Sequence, residues 1–155
     1  MDVIPSGLER VSYTWEQFEE DRAQLVGQIK TYQEKTGEEF THIYGLPRGG
    51  LCLAVALSHD LDLNFLVGQP RLLIPQTLVV DDIADTGRQL KPFKDQGYCI
   101  ATLHWNIGSV VDPNFWARHK PANTFILYPW ENQELHKTAG GNNEKQKCSR
   151  SRSFS

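Results

Sequence analysis

The stretch T-L-V-V-D-D-I-A-D-T-G-R-Q, Thr77 to Gln89, decides the fold. Thr77 to Val80 is a nearly continuous apolar run, the pattern of a parallel strand covered on both faces. It runs straight into Asp81 and Asp82, and Asp85, Thr86 and Gly87 follow. In an open parallel sheet, ligands bind beyond the carboxyl ends of the strands. Carboxylates there accept hydrogen bonds from sugar hydroxyls and can hold Mg²⁺, directly or through water. Gly87 lets the backbone approach a phosphate closely, and the Thr86 hydroxyl can donate a hydrogen bond to it. A helix expected from about Gly87 to Gln96 would add N-terminal N–H groups and a dipole. Pro92 disturbs that helix unless its regular turns begin only near Lys91. A lone D-D would be a cap or a strand end. The whole string instead describes a sugar-phosphate site, with phosphate on the loop and ribose hydroxyls on the acidic pair.

Working outward, Thr14 with Gln17 three positions on forms a capping box, and Phe18, Leu25, Ile29 and Tyr32 recur at helical spacing. Gly37 stops this first helix. Phe40 to Leu46 reads as a strand broken by Pro47-Arg48-Gly49-Gly50, and Leu51 to Leu61 as a buried helix. Leu63 to Val67 reads as a second strand, and Arg71 to Ile74 as another short one stopped by Pro75. Tyr98 to Trp105 and Thr124 to Tyr128 are the later strands. Alternating strands and helices predict an α/β fold with an open, mostly parallel sheet and right-handed crossovers.

The chain has 155 residues, which suits one domain with a real core. Its formal net charge of -3 gives no general attraction to nucleic acid or anionic membrane. No apolar run is long enough to span a bilayer, and M-D-V-I-P-S-G-L-E-R lacks the layout of a signal peptide. Cys52, Cys99 and Cys148 form no C-x-x-C pair, which argues against a disulfide framework or thiolate zinc site and for a cytoplasmic protein. From about Asn132 apolar periodicity is lost. We read 1–131 as the domain and 132–155 as a disordered tail, whose Arg-Ser alternation is more simply a solvated segment than an RNA contact.

Thr77 to Gly87 resembles the phosphoribosyl-pyrophosphate (PRPP) motif of the type I phosphoribosyltransferases: apolar strand, acidic pair, two small or apolar residues, then D-T-G. Tyr44-Gly45-Leu46-Pro47-Arg48-Gly49-Gly50-Leu51 resembles the family's pyrophosphate loop, which often carries a cis non-proline peptide, by position Pro47–Arg48. Thr14-Trp15 and Pro129-Trp130-Glu131 resemble weaker landmarks of the bacterial xanthine-guanine branch, so the likeness covers about residues 10 to 131.

The resemblance implies a twisted sheet with helices on both faces and a small hood. It implies transfer of a phosphoribosyl group from PRPP to a nucleobase, a 6-oxopurine such as guanine, xanthine or hypoxanthine, with Mg²⁺ neutralising the leaving pyrophosphate. Asp81 and Asp82 would bind the ribose hydroxyls and carry the metal. Asp85 would lie near the purine N7 as its proton partner. Ala84, Asp85, Thr86, Gly87, Arg88 and Gln89 would wrap the 5′-phosphate, Gln89 standing where a hydroxyl residue is usual. Arg48, Gly49 and Gly50 would hold pyrophosphate. Phe125 would stack on the base, and backbone near Ile126 and Leu127 would read its edge. A homo-oligomer, dimer or tetramer, is the default.

Two departures stand out. The purine enzymes place a lysine after the fourth strand to read the exocyclic oxygen, whereas this chain has Leu103-His104-Trp105-Asn106. Asn106 or His104 is left to bond the base, and the His104–Trp105 alternation sends one of the two to the core. The family also inserts a long mobile loop before the motif strand. Here about a dozen residues, Phe65 to Gln76, replace it, with Arg71 as their one charge. A non-catalytic PRPP- or nucleotide-binding regulator is therefore the rival reading. A hydrolase ranks last, because no nucleophile elbow or P-loop is present.

Overall fold

The computed structural model describes residues 7–71 and 76–131. The elements run β1 (Glu9–Ser12), α1 (Trp15–Thr36), β2 (His42–Gly45), α2 (Leu51–Asp60), β3 (Asn64–Leu66), β4 (Thr77–Ala84), α3 (Lys91–Asp95), β5 (Cys99–Trp105), β6 (Phe115–His119) and β7 (Thr124–Leu127). Five strands form one sheet in the order β3-β2-β4-β5-β6, every neighbouring pair parallel. The expected α/β architecture is therefore observed. Residues 72–74, expected to form a short strand, and the tail from Asn132 lie outside the described residues.

Local chemistry explains α1. The Thr14 hydroxyl accepts the Gln17 N–H at 3.1 Å, and the Gln17 side chain accepts the Thr14 N–H at 3.0 Å. Gly37, at φ 71°, closes the helix in the left-handed region that glycine tolerates. The buried face carries Phe18, Leu25 and Ile29, and also Asp21. That acid is paired: it accepts from the Tyr13 hydroxyl at 2.5 Å and from Arg118 Nε at 2.7 Å. Without those donors a buried carboxylate would be strongly unfavourable.

The two faces of the sheet are covered unequally. α1 and α2 pack on one face, where Leu25, Ile29, Leu53 and Leu57 meet Ile43, Leu78 and Leu103. Each such side chain contributes about 1.5–3 kcal/mol by leaving water. On the other face the five-residue α3 and its flanking loops place Leu90 and Phe93 against Tyr44, Val79 and Ile100. α3 is short because Pro92 fixes its first turn, and Gly97, at φ 93°, follows its end.

Two strands escaped the sequence reading. Phe115–His119 is β6, the edge strand beside β5. Glu9–Ser12 is β1, which pairs in parallel with β7 as a separate two-stranded sheet. That small sheet stands where the resemblance calls for a hood, and it draws on both ends of the domain. Trp15 and Trp130, from the two weak sequence landmarks, lie 5.9 Å apart by ring centroid, and Trp130 stacks on Tyr128 at 5.0 Å. Tyr128 then ties the hood to the sheet. Its hydroxyl donates to the Asp82 carbonyl at 3.3 Å and faces His104 Nδ1 at 2.8 Å. With the hydroxyl proton committed to Asp82, Nδ1 of His104 must carry a proton and donate.

Burial pushes the His104 imidazole down to about 4 from its ordinary 6.5. A depressed histidine gives the unfolded chain more bound protons between those values, so its contribution is complete above pH 6.5 and lost as pH falls through about 4. Urea melts of the wild type and His104→Asn should therefore show a stability difference that shrinks as pH falls through this window. A difference independent of pH would contradict a neutral His104.

Candidate active site

Parallel strands align their carboxyl ends, so the segments after β2, β4, β5 and β6 converge on one edge of the sheet. β4 runs to Ala84 and not merely to Val80, so Asp81 and Asp82 sit within its last turns of pleat. Asp81 is buried, 8% exposed, and pairs in register with Thr102. Asp81 Oδ1 accepts the Asp82 N–H at 2.9 Å, and Asp82 Oδ1 accepts the Ile83 N–H at 2.8 Å. Burial raises both carboxyls above their ordinary range, and the negative Asp82 raises Asp81 further. Among the described residues no lysine or arginine pairs with either. Carboxyls shifted by burial and a like charge cluster at functional sites, which makes this pair the candidate centre of the site.

The pyrophosphate-type loop lies directly on this pair. The Pro47–Arg48 peptide is cis. A Cβ at Gly49 would overlap the Asp82 carboxylate, and one at Gly50 would overlap the Val80 carbonyl and lie 3.0 Å from Asp81 Cα. Leu46 donates its N–H to the Val80 carbonyl at 2.9 Å, which locks the loop to β4. Arg48 is exposed and in no ion pair among the described residues.

The loop after β4 differs from expectation in one respect. The helix begins at Lys91, so its N-terminus stands four residues beyond Gly87 and the dipole argument does not apply there. The loop itself supplies the donors. Gly87 has φ 80°, and a Cβ on it would overlap the Ser109 hydroxyl. The Thr86 carbonyl accepts the Val110 N–H at 2.9 Å, fixing the turn against the segment after β5. Among the described residues the N–H groups of Thr86, Gly87 and Gln89 have no protein acceptor. Successive free amides around a positive-φ glycine make a concave anion cradle without a helix. Thr86, Arg88 and Gln89 are exposed around it.

Asp85 follows Ala84 at the strand end, where its Oδ1 accepts from Asn106 Nδ2 at 2.9 Å and from Lys120 Nζ at 3.0 Å. Lys120 escaped the sequence reading because β6 did. Once F-W-A-R-H is recognised as a strand, the residue after it falls on the same edge as Asp85.

His104 is not available to a base: it is buried, with Nδ1 on Tyr128. Trp105 is the half-buried neighbour, near Trp116 and His119. Asn106 does reach the site, through Asp85. Ile126 is buried in the core, so only its backbone could serve a base. Phe125 is half-buried, and strand alternation puts its side chain on the opposite face of β7 from Ile126. Arg71 is exposed, and residues 72–75 beyond it lie outside the described residues.

Among the described residues no group of three or more His, Cys, Asp or Glu could hold a metal ion. Two adjacent carboxylates still fit Mg²⁺, which is commonly held by one or two carboxylates plus substrate phosphates and water.

No protein-family model matches the sequence, and no curated protein matches it. Solved structures do. A purine phosphoribosyltransferase from Pyrococcus horikoshii shares 27% identity at a TM-score of 0.63, over 81% of this chain and 95% of its own. The xanthine-guanine-hypoxanthine phosphoribosyltransferase of Helicobacter pylori shares 21% at 0.63, over 83% and 95%. The hypoxanthine phosphoribosyltransferase of Trypanosoma cruzi shares 14% at 0.59, over 74% and 83%. The chain has the type I phosphoribosyltransferase fold. The family likeness read from its two loops is borne out, and these relatives are all of the purine branch.

Because burial disfavours the charge on Asp81, Asp81→Asn should raise the melting temperature of the metal-free protein by about 2–4 °C per kcal/mol relieved. The same change should weaken sugar-phosphate binding. A lower melting temperature would mean that the carboxylate is structurally required.

Proposed function

We propose that this chain is a phosphoribosyltransferase that joins the ribose of PRPP to a 6-oxopurine and releases pyrophosphate, in nucleotide salvage in the cytoplasm. The observation that carries the reading is the convergence of an uncompensated acidic pair, a glycine loop laid on it and a separate amide cradle. These three parts match a ribose, a pyrophosphate and a 5′-phosphate. The purine relatives support the same reading.

The reaction is displacement at ribose C1: the bond to pyrophosphate breaks as the bond to a base nitrogen forms. Asp81 and Asp82 hold the ribose hydroxyls and steady the electron-poor ring. The Thr86–Gln89 amides fix the 5′-phosphate, so C1 is presented in one orientation. Gly49, Gly50 and the Arg48 guanidinium accept the leaving pyrophosphate. Asp85 receives the proton that the purine sheds. Bound Mg²⁺ on the acidic pair would supply charge neutralisation for the pyrophosphate. Phe125 would stack on the base beneath the hood, with the Ile126 backbone at its edge. A dimer or tetramer is the proposed assembly.

The rival, a PRPP- or nucleotide-binding regulator, draws support from the link between β3 and β4. Leu66 and Thr77 leave only ten residues between them, little material for a cover that excludes water.

With Mg²⁺ and PRPP, pyrophosphate release should appear with at least one of guanine, xanthine and hypoxanthine. Binding of PRPP without turnover on any base would favour the regulator. Asp85→Asn should lower kcat by about 100-fold or more while changing the KM for PRPP little. An equal loss in both would contradict its assigned role.

A further inference from the structure

β1 and β7 form a sheet of their own, separate from the five-stranded sheet that carries the acidic pair. No ladder of backbone bonds joins the two sheets, so side chains set where the hood stands. Tyr128, directly after β7, makes this connection at two points. Its hydroxyl donates to the Asp82 carbonyl on β4 at 3.3 Å and accepts from His104 Nδ1 on β5 at 2.8 Å. His104 pairs in register with Ile83, the residue after Asp82, so the two points are neighbours on adjacent strands. Tyr13 braces both rings edge-on, 5.0 Å from His104 and 5.4 Å from Tyr128 by ring centroid. The Tyr13 N–H also donates to the Leu127 carbonyl at 2.9 Å. Tyr128 and His104 are both buried. A buried hydroxyl that accepts from one strand and donates to the next is held in one orientation.

We propose that Tyr128 is a positioning residue for the transfer: its hydroxyl fixes the spacing between the base under the hood and the ribose on the acidic pair. This rests on the phosphoribosyltransferase reading. Phe125 and Ile126, the hood residues assigned to the base, lie on β7, the strand that runs into Tyr128. Asp82, assigned to the ribose, owns the carbonyl that Tyr128 grips. Its carboxylate is tied to the same stretch of backbone, because Oδ1 accepts the Ile83 N–H at 2.8 Å. A shift of that backbone therefore moves the carboxylate with it. Displacement at C1 requires the base nitrogen to stand in line with the bond to pyrophosphate. The two reactants are gripped by different sheets, so each can bind without the other being aligned. Tyr128 bonds neither of them and acts through Asp82 on one side and β7 on the other. Removing its hydroxyl therefore spares the binding of each reactant and slows their reaction.

The test is steady-state kinetics of the wild type, Tyr128→Phe and Ile29→Val, with PRPP, Mg²⁺ and the best of guanine, xanthine and hypoxanthine. Tyr128→Phe keeps the ring that stacks on Trp130 and removes only the hydroxyl. Ile29→Val thins the core under α1, away from the site, and controls for a general loss of stability. Tyr128→Phe should lower kcat by about 10- to 100-fold, the effect of displacing reacting groups by up to about 1 Å. Its KM for PRPP and for the base should move little. Ile29→Val should lower the melting temperature and keep kcat. An unchanged kcat in Tyr128→Phe, a loss carried by KM, a matching kcat loss in Ile29→Val, or a Tyr128→Phe chain unfolded at the assay temperature would overturn the assignment. If the wild type turns over none of the three bases, the transferase reading has failed and the assignment is judged on binding. Calorimetry then compares inosine monophosphate, which spans hood and acidic pair, with ribose 5-phosphate, which does not reach the hood. Tyr128→Phe should weaken the first by about 10-fold and leave the second unchanged. Equal effects on the two, or no binding of inosine monophosphate by the wild type, overturns it.

Discussion

The backbone of Gly49 and Gly50 lies directly on Val80, Asp81 and Asp82, and the rest of the site depends on that contact. No side chain fits between the two segments, so the loop after β2 and the end of β4 are fixed relative to each other within a van der Waals distance. The Leu46 N–H on the Val80 carbonyl sets the register of that approach. Once it is set, the acidic pair has a loop of peptide groups on one side and the Asp85–Gln89 turn on the other. The burial that raises both carboxyls follows from the same packing. A looser loop would admit water and let the pair ionise alone. On the proposed function, the same contact would build the pocket for a pyrophosphate and prepare the acids for a ribose.

A second constraint acts across the sheet. Parallel pairing of β4, β5 and β6 in constant register converts three distant sequence positions into neighbours. Asp85, Asn106 and Lys120 meet only because each follows the same rung of the ladder. Slipping any strand by one residue would turn its side chain to the other face. The buried Tyr13–Asp21–Arg118 network supports this register, because it clamps β6 to α1 from beneath. Tyr128 performs the matching service for the hood, bridging β7 to the Asp82 carbonyl and to His104.

How much of this was legible in the sequence depended on how local each signal was. The cis peptide at Pro47–Arg48 was implied only by the family resemblance of its loop, whereas the capping box at Thr14, the stop at Gly37 and the strand before the acidic pair all rest on short runs of residues and were read there. β1 and β6 were not. E-R-V-S has little apolar content, and F-W-A-R-H mixes aromatic and cationic residues at the sheet edge, where burial is partial and alternation is blurred. The loss of β6 hid Lys120. The helix after the motif was expected from about Gly87, with a start near Lys91 only as the alternative that Pro92 allowed; the alternative is what forms, and it carries the helix end away from the expected anion site. The amide cradle depends on backbone angles that only the fold reveals.

The electrostatic balance of the site follows from these pieces. PRPP is strongly anionic, and a site presenting three ionised aspartates would repel it at the distances where charges are unscreened. Here that field is muted in three ways. Burial favours a retained proton on the acidic pair, Lys120 neutralises Asp85, and among the described residues the N–H groups of Thr86, Gly87 and Gln89 are not spent on protein acceptors. Arg48 and Arg88 are exposed on the two loops and in no ion pair among the described residues, so on the proposed function they are the cations left to attract the phosphates. On the proposed function, a divalent cation or an electron-poor ribose is what would make the negative charge of the acidic pair favourable.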